Sequence, residues 1–437
     1  MPELREERQE VGTCVELFAG GGGLAMAVHA AGFRPLLVNE LAKRACESLR
    51  KNPPDPEDPE KGWPLVPGDV SDIKFTDHVT EEVDVLAGGP PCQPFSLGGV
   101  HKGMEDKRNM FPEMFRAIRE LRPKAVICEN VRGLLRPSFR PYFNYILNEL
   151  SLPFVERDPC ASWEDHNELL EKLIANDSVD PSERYVAKEM RVNAADYGVP
   201  QIRNRVIIVA FRADLGITWN NFMPKRTHSE ESMIHSMREG GPYWDRHKGV
   251  DPDVRKRVIA NLPELDYENE KVKEKLKLEP WRTLRDAISG IDENEGNPLP
   301  YVTEEDVAKK LPVGEIPDHV GWPGARMYTG HTPNVLDRPA KTVKAGVHGV
   351  PGGESVMQLD NPNFVNEGGG TGYRYMTVRE TARVMTFPDR WVLDGPRGEK
   401  MRQLGNAVPV KLGTVFANAV ADALMSVGAL KEPEKRK

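Results

Sequence analysis

The stretch "TCVELFAGGGGLAMAVHAA", Thr13 to Ala31, decides the fold. Thr13–Phe18 reads as a strand, "AGGGG" as a turn, and Leu24–Ala31 as a helix of small residues. Strand, glycine loop and helix in that order make the opening unit of a nucleotide-cofactor fold, in which glycines let the backbone approach the ligand. In such folds an acid at the end of the next strand holds ribose hydroxyls. Glu40 stands there, at the end of "FRPLLVNE". Leu24 occupies the place where a phosphate-binding P-loop needs lysine, which disfavours that reading. A nicotinamide fingerprint stays open.

Working outward, the same alternation continues. "VDVLAGG" (Val83–Gly89), "KAVICEN" (Lys124–Asn130) and "RVIIVAF" (Arg205–Phe211) read as strands. "LAKRACESLRKN" (Leu41–Asn52) and "MFPEMFRAIRELRP" (Met110–Pro123) read as helices. Short apolar strands alternating with helices predict an α/β fold with a doubly wound, mostly parallel sheet. Pro53–Pro67 is too rich in breakers to form an element and reads as a loop. A polar insertion at about 162–190 reads as a surface helix and loop. After Phe211 the pattern breaks, and a second, irregular α+β domain is expected over 212–400. The catalytic domain is then 1–211, completed by about 401–437, where "GNAVPVKLGTVFANAVADALMSV" predicts a closing amphipathic helix.

Composition narrows the function classes. The 437 residues are 39% hydrophobic and 29% charged, with a net charge of −8. No unbroken apolar run reaches the roughly 18 residues of a membrane span, and the charged N-terminus does not resemble a secretory leader. The five cysteines are far apart, which argues against a zinc site or a disulfide framework and for a reducing cytoplasm. No metal is expected. The negative charge is a weak veto on nucleic acid, because binding needs only a local basic face.

Three further stretches carry chemistry. "AGGPPCQPFSLGG" (Ala87–Gly99) sets Cys92 in a stiff turn at a strand end, presented as a nucleophile rather than packed. Glu129 ends another strand. Parallel neighbours bring their ends to one edge, so Glu129 is expected beside Cys92 as a proton donor or acceptor. Arg203 and Arg205 stand two apart before a strand, where an extended backbone points both to one face, suited to an anion or carbonyl oxygen.

The order "ELFAGGGG", "GGPPCQPFS", "ENV", "QIRNR", "TVRETARVMTFPD" and "GNAVPV" resembles the DNA (cytosine-5) methyltransferase family. The resemblance spans nearly the whole chain and is weakest between "QIRNR" and "TVRE". It implies a methyltransferase sheet and S-adenosylmethionine as cofactor, lined by Phe18, Gly20 and Gly22. Glu40 would hold the ribose hydroxyls, Asp69 the adenine amino group and Val70 the ring. Pro91, Met110 and Asn406 would complete the pocket. Leu41 departs from members with an aromatic residue there, and Glu16 replaces the more usual aspartate. Cys92 would add to C6 of a flipped cytosine, Glu129 would hold N3 and the amino group, and Arg205 would contact O2 with Arg203 in support. "SLGGVHKGMEDKR" (Ser96–Arg108) would be a lid, with Ser96 and Lys102 touching phosphate.

The second domain would read duplex DNA. Its basic patches are "PKRTH" (Pro224–His228), "WDRHKGV" (Trp244–Val250) and "RPAKTVKAGVHG" (Arg338–Gly349). The resemblance also implies a bacterial, monomeric enzyme, often beside a restriction endonuclease of the same target. A tRNA-methylating branch shares "PPCQPFS". The long recognition region and the absence of a Cys-Phe-Thr tripeptide favour DNA. A DNA-binding regulator without catalysis and a nicotinamide oxidoreductase are weaker rivals, because they leave Cys92 and the paired arginines unused.

Overall fold

The computed structural model describes residues 9–55, 58, 60–91, 109–290, 297–327, 329–346 and 355–430. The chain divides into two compact units. The first is 1–192, 204–224 and 413–437, and the second is 193–203 and 225–412. The sequence reading drew borders at 211/212 and about 400/401. The units interleave more finely, because Gln201 forms a strand-like bridge with Ala340 and Ile202 donates to its carbonyl. That pairing groups Asn193–Arg203 with the second unit.

The first unit is built on a seven-stranded sheet. Its strands are β1 (Gly12–Leu17), β2 (Phe33–Glu40), β3 (Leu65–Pro67), β4 (Val85–Gly88), β5 (Ala125–Val131), β6 (Tyr185–Asn193) and β7 (Asn204–Arg212). The spatial order is β3-β2-β1-β4-β5-β7-β6. Every pairing from β3 to β5 is parallel, whereas β7 runs antiparallel to β5. The expected doubly wound, mostly parallel sheet is present. Central strands are continuous apolar runs, as burial on both faces requires: β4 is buried throughout and β5 up to Asn130. Helices α1 (Gly23–Ala30), α2 (Lys43–Lys51), α3 (Phe111–Leu121), α4 (Arg140–Ser151) and α5 (Trp163–Asn176) connect or flank them. Phe111, Met114, Phe115 and Ile118 of α3 and Phe143 and Ile146 of α4 lie in one core with Val15, Leu86, Val126 and Ile208 of the sheet.

Three local readings need correction. The stretch Pro53–Pro67 ends in β3, a three-residue edge strand. Pro67 is tolerated there because it closes the strand. Part of the expected surface insertion is β6, an edge strand whose half-buried pattern hides it among polar residues. The helix expected there is α5, started by a reciprocal Ser162–Asp165 capping box. Finally, the helical stretch Arg397–Ser426 contains a window as apolar as a membrane span. Counting only unbroken apolar residues misses it. Its closing helix, Val410–Ser426, buries Phe416, Ala417, Val420, Ala421 and Leu424 in the fold.

The second unit consists of short helices and two two-stranded sheets. His228–Ser229 pairs with Glu279–Pro280, and Val356–Gln358 with Tyr373–Tyr375. One small core gathers Met233, Met237, Tyr243, Trp244 and Trp281. Buried arginines supply much of the remaining order. Arg379 donates to the carbonyls of Pro317, Pro388 and Trp391. Arg374 makes a two-pronged ion pair with Glu380, which also caps the helix Val378–Val384 from Thr377. Burial alone would raise the Glu380 pKa. The Arg374 guanidinium overrides it and holds the carboxyl below the usual carboxylate range.

Glu380→Ala leaves Arg374 charged and buried without its partner, a loss expected to cost about 3–5 kcal/mol. Equilibrium urea unfolding should show it as a lower midpoint. Because the folded pKa is depressed, the pair's contribution is present above the unfolded value of about 4.3 and is lost as pH falls below it. The wild-type and variant midpoints should therefore converge in acid.

Candidate active site

The carboxyl ends of β1, β2, β4 and β5 share one edge of the sheet, and the candidate residues of the first unit gather there. β1 runs into Phe18, which holds φ at +60°. That left-handed conformation is uncommon for a bulky residue and marks strain held in place by its surroundings. Gly20 and Gly22 follow at φ +57° and +92°, and Gly22 caps α1. A side chain at Gly20 would meet open space, so the loop leaves room above its backbone.

Glu40 closes this loop from the end of β2. One carboxylate oxygen accepts from Gly20 N at 2.7 Å and the other from Ala42 N at 2.6 Å. Each oxygen keeps a lone pair for a hydroxyl donor. Asp69 follows β3 and accepts from both the amide and the hydroxyl of Ser71 through Oδ1. These bonds hold its carboxyl below the usual range, and Oδ2 is left for another donor. Val70 beside it is buried, and Leu41 is 66% exposed.

The next two strands supply the second half of the site. β4 and β5 pair with Gly88 opposite Cys128, so Gly89 comes level with Glu129. A side-chain carbon placed on Gly89 would lie 3.8 Å from Glu129 Oε2. Asn130 Nδ2 donates to the Pro90 carbonyl at 2.9 Å, and Met110 N to the Pro91 carbonyl at 3.3 Å. Both flanks of the segment that carries Cys92 are thereby pinned. Cys92 itself, Ser96, Lys102 and the expected lid lie outside the described residues. Asn130 is a residue the sequence reading passed over. Its signal was its place beside Glu129 in "ENV". The thiols of Cys14 and Cys128 are buried; burial pushes Cys128 up to about 12 and Cys14 well above the usual thiol range. Neither suits a nucleophile.

Because β7 is antiparallel, its first residues reach the edge where β5 ends: Arg205 pairs with Val131. Arg205 Nε stands 2.7 Å from Glu129 Oε1. The contact is an ion pair without an aligned N–H, and Oε1 keeps its hydrogen-bonding capacity. Arg203 does something else. It is 1% exposed and donates to the carbonyls of Val343, Gly405 and Ala407 within the second unit. The expectation that Arg203 and Arg205 present to one face therefore fails. Arg203 precedes the strand, and its amide and carbonyl are bonded to Asn193 and Ala194 instead of continuing the β7 ladder. Asn406 ends the helix Arg397–Asn406 in the second unit and is exposed.

Several members of the expected basic patches of the second unit are engaged internally, while Lys225 and Lys248 are exposed. Arg226 pairs with Asp196 at 3.3 Å. His228 is buried, and burial together with Lys411 and Arg282 pushes its pKa down to about 3. Trp244 and His247 belong to the interior, with His247 Nε2 2.8 Å from the buried Asp286. Arg246 lies over the Tyr243 ring, and Arg338 pairs with Glu230.

Comparison with known proteins places the chain in a family. The family model "C-5 cytosine-specific DNA methylase" matches residues 12–152 and 182–422. The chain is 32% identical over 433 residues to the type II methyltransferase M.Eco47II of Escherichia coli, covering 97% of this chain and 82% of that one. It is 29% identical over 426 residues to M.PspPI of Psychrobacter sp. (strain TA137), covering 96% and 81%. A solved prophage-encoded methyltransferase from E. coli shares the fold at TM-score 0.50 and 21% identity, covering 94% of this chain and 99% of that one. The chain belongs to the C-5 cytosine-specific DNA methylase family. It is a DNA (cytosine-5) methyltransferase of the type II restriction-modification kind.

Removing Arg203 would strand three buried carbonyls, at roughly 1–3 kcal/mol for each acceptor left unpaired. Arg203→Ala should lower the melting temperature strongly, and Arg203→Lys should not restore it, since one ammonium lacks the planar fork. Arg205→Ala should change melting far less and lower methyl transfer instead. Thermal melting and transfer rates measured on both variants check this division.

Proposed function

We propose that the first unit binds S-adenosylmethionine on the edge formed by Phe18, Gly20, Gly22, Glu40, Asp69, Val70, Pro91 and Met110, and methylates a cytosine held by Cys92, Glu129 and Arg205. The carrying observation is that Glu129 and Arg205 meet at 2.7 Å beside Gly89, three residues from Cys92. The fit to the cofactor rests on the open space above Gly20, the lone pairs left on Glu40 and the unengaged Oδ2 of Asp69. The family resemblance assigns Asn406 to the cofactor as well.

Bound there, S-adenosylmethionine supplies an electrophilic methyl group. The chain's own residues make C5 able to accept it. The Cys92 thiolate forms a bond to C6, and the electron pair of the C5–C6 double bond moves toward C5. Glu129 holds N3 and the amino group, and Arg205 the O2 oxygen that takes up charge. When the C5 proton leaves, the double bond reforms and Cys92 departs as thiolate. Asn130 holds the Pro90 carbonyl, two residues before Cys92, and would thereby help to aim the sulfur at C6. The cytosine must leave the helix to reach this edge. Arg203 acts at a distance, by fixing the second unit.

The second unit would read the target sequence. The relatives' kind also points to a restriction endonuclease of the same specificity as a functional partner, and to a cytoplasmic setting with the DNA. The tRNA reading keeps no specific support in these residues.

Bisulfite sequencing of plasmid DNA from cells expressing the chain should show protected cytosines in one short context. Cys92→Ser should abolish them, and Glu129→Gln should slow transfer by about a hundredfold or more. Protection that persists in the Cys92 variant would refute the covalent assignment. Leu41→Trp should tighten S-adenosylmethionine binding about two- to tenfold by stacking, measured by calorimetry.

A further inference from the structure

We propose that Arg132 and Arg136 clamp the sugar-phosphate backbone of the DNA strand beside the target cytosine. The inference rests on the function proposed above and adds a substrate contact to it.

The two arginines stand at either end of one short turn. β5 delivers Glu129 and Asn130 to the active edge, and the chain then enters a 3-10 turn, Arg132–Leu135, which Arg136 closes. The turn is fixed from below by Leu134, which is fully buried in the core. It is fixed along its length by Arg136 N on the Gly133 carbonyl, and by Phe139 N and Arg140 N on the Arg136 carbonyl. Asn130 Oδ1 accepts from Val131 N just before it. The backbone is anchored, while Arg132 is exposed and Arg136 half-buried.

Neither guanidinium has a hydrogen bond, ion pair or aromatic ring to rest on among the described residues. The neighbouring acids are already engaged: Glu129 with Arg205, and Glu189 with Arg140. Several other arginines of this unit are neutralised at close range, as Arg34 is by Glu10 and Glu81, and Arg116 by Glu113 and Glu120. The contrast with the second unit is as plain, since Arg226 and Arg338 are paired there. Two uncompensated guanidiniums on a rigid turn, two and six residues past the last buried strand residue, Asn130, form a fixed site of positive potential next to the catalytic carboxylate. Their backbones are roughly 8 Å apart, four residues at about 2.0 Å each, a spacing from which two long side chains can reach neighbouring phosphates of one strand. A forked guanidinium matches phosphate oxygens, and such contacts hold the register of a duplex without reading bases. A protein of net charge −8 needs such local sites to hold a polyanion.

The test uses the full-length enzyme and a duplex bearing the methylated sequence. Binding is measured between about 50 and 200 mM salt for wild type, Arg132→Ala/Arg136→Ala, the corresponding double lysine variant, and Lys172→Ala. Lys172 lies on α5 with its side chain 73% exposed and serves as a control for loss of surface charge. The alanine pair should lower the slope of log affinity against log salt by about 1.8, near 0.9 for each lost phosphate contact. It should also raise KM for DNA by at least about tenfold, with kcat within threefold and S-adenosylmethionine affinity unchanged. The lysine pair should keep the slope while binding more weakly, because the charge survives and the fork does not. Lys172→Ala should match wild type. An alanine pair that keeps the wild-type slope, in an enzyme that binds and methylates DNA, overturns the clamp alone. A wild-type enzyme that neither binds nor methylates duplex DNA overturns the clamp and the function beneath it together.

Discussion

Strand direction is the constraint on which the site depends. Four parallel neighbours, β2, β1, β4 and β5, can end only on one edge, and the residues at or beside those ends gather there: Glu40, Phe18, Gly89 and Glu129. An arginine on a fifth parallel strand would have to come from that strand's far end. Reversing β7 solves this, because its first residues then meet the last residues of β5, and Arg205 pairs with Val131. The ion pair between Arg205 and Glu129 is a consequence of that single reversal. A parallel β7 with the same sequence would carry Arg205 to the opposite edge, about 20 Å away over the seven positions paired with β5.

Arginine serves two ends in this chain, and burial separates them. Arg203, Arg374, Arg379 and Arg383 are buried, and most of their donors are spent on carbonyls or carboxylates. The second unit has few strands and short helices, so its backbone leaves many carbonyls without ladder partners. A guanidinium with five donors satisfies several of them at once. Such an arginine cannot also bind phosphate. Arg205 instead meets Glu129 at the start of β7, and Arg132 and Arg136 follow the end of β5, one exposed and the other half-buried.

The alternation of strands and helices made the sheet legible from the sequence, because central parallel strands are apolar runs that need no long-range information. The edge strands were hidden for the same reason. β3 is three residues long and ends in proline, and β6 mixes Tyr185, Met190 and Val192 with charged residues, so neither announces itself by hydrophobicity. The site's acids were legible because their positions follow from strand ends. Arg203 was misread because spacing in the sequence says nothing about where a strand begins; a one-residue difference separates a ladder residue from a buried clamp. Within the basic runs around Trp244 and Arg338, some side chains are engaged by partners distant in sequence, such as Asp286 and Glu230, to which charge patterning is blind.

The glycine loop shows how the fold sets the electrostatics of its own edge. Two carboxyls flank it, Glu16 within β1 and Glu40 beyond the loop. Glu16 is 2% exposed, and burial raises its pKa well above the ordinary range; a hydrogen bond from Ala25 opposes the rise, and the charge on Glu40 adds to it. Ionising Glu16 would place a second negative charge near that of Glu40, in a buried position without solvent to screen it. The neutral form avoids that cost and still accepts from the first turn of α1. Glu40, gripping Gly20 N and Ala42 N, is then the one carboxylate whose charge faces the ligand side of the loop. The strained Phe18 lies between the two, where core packing on one side and the glycine turn on the other leave its backbone no relaxed alternative.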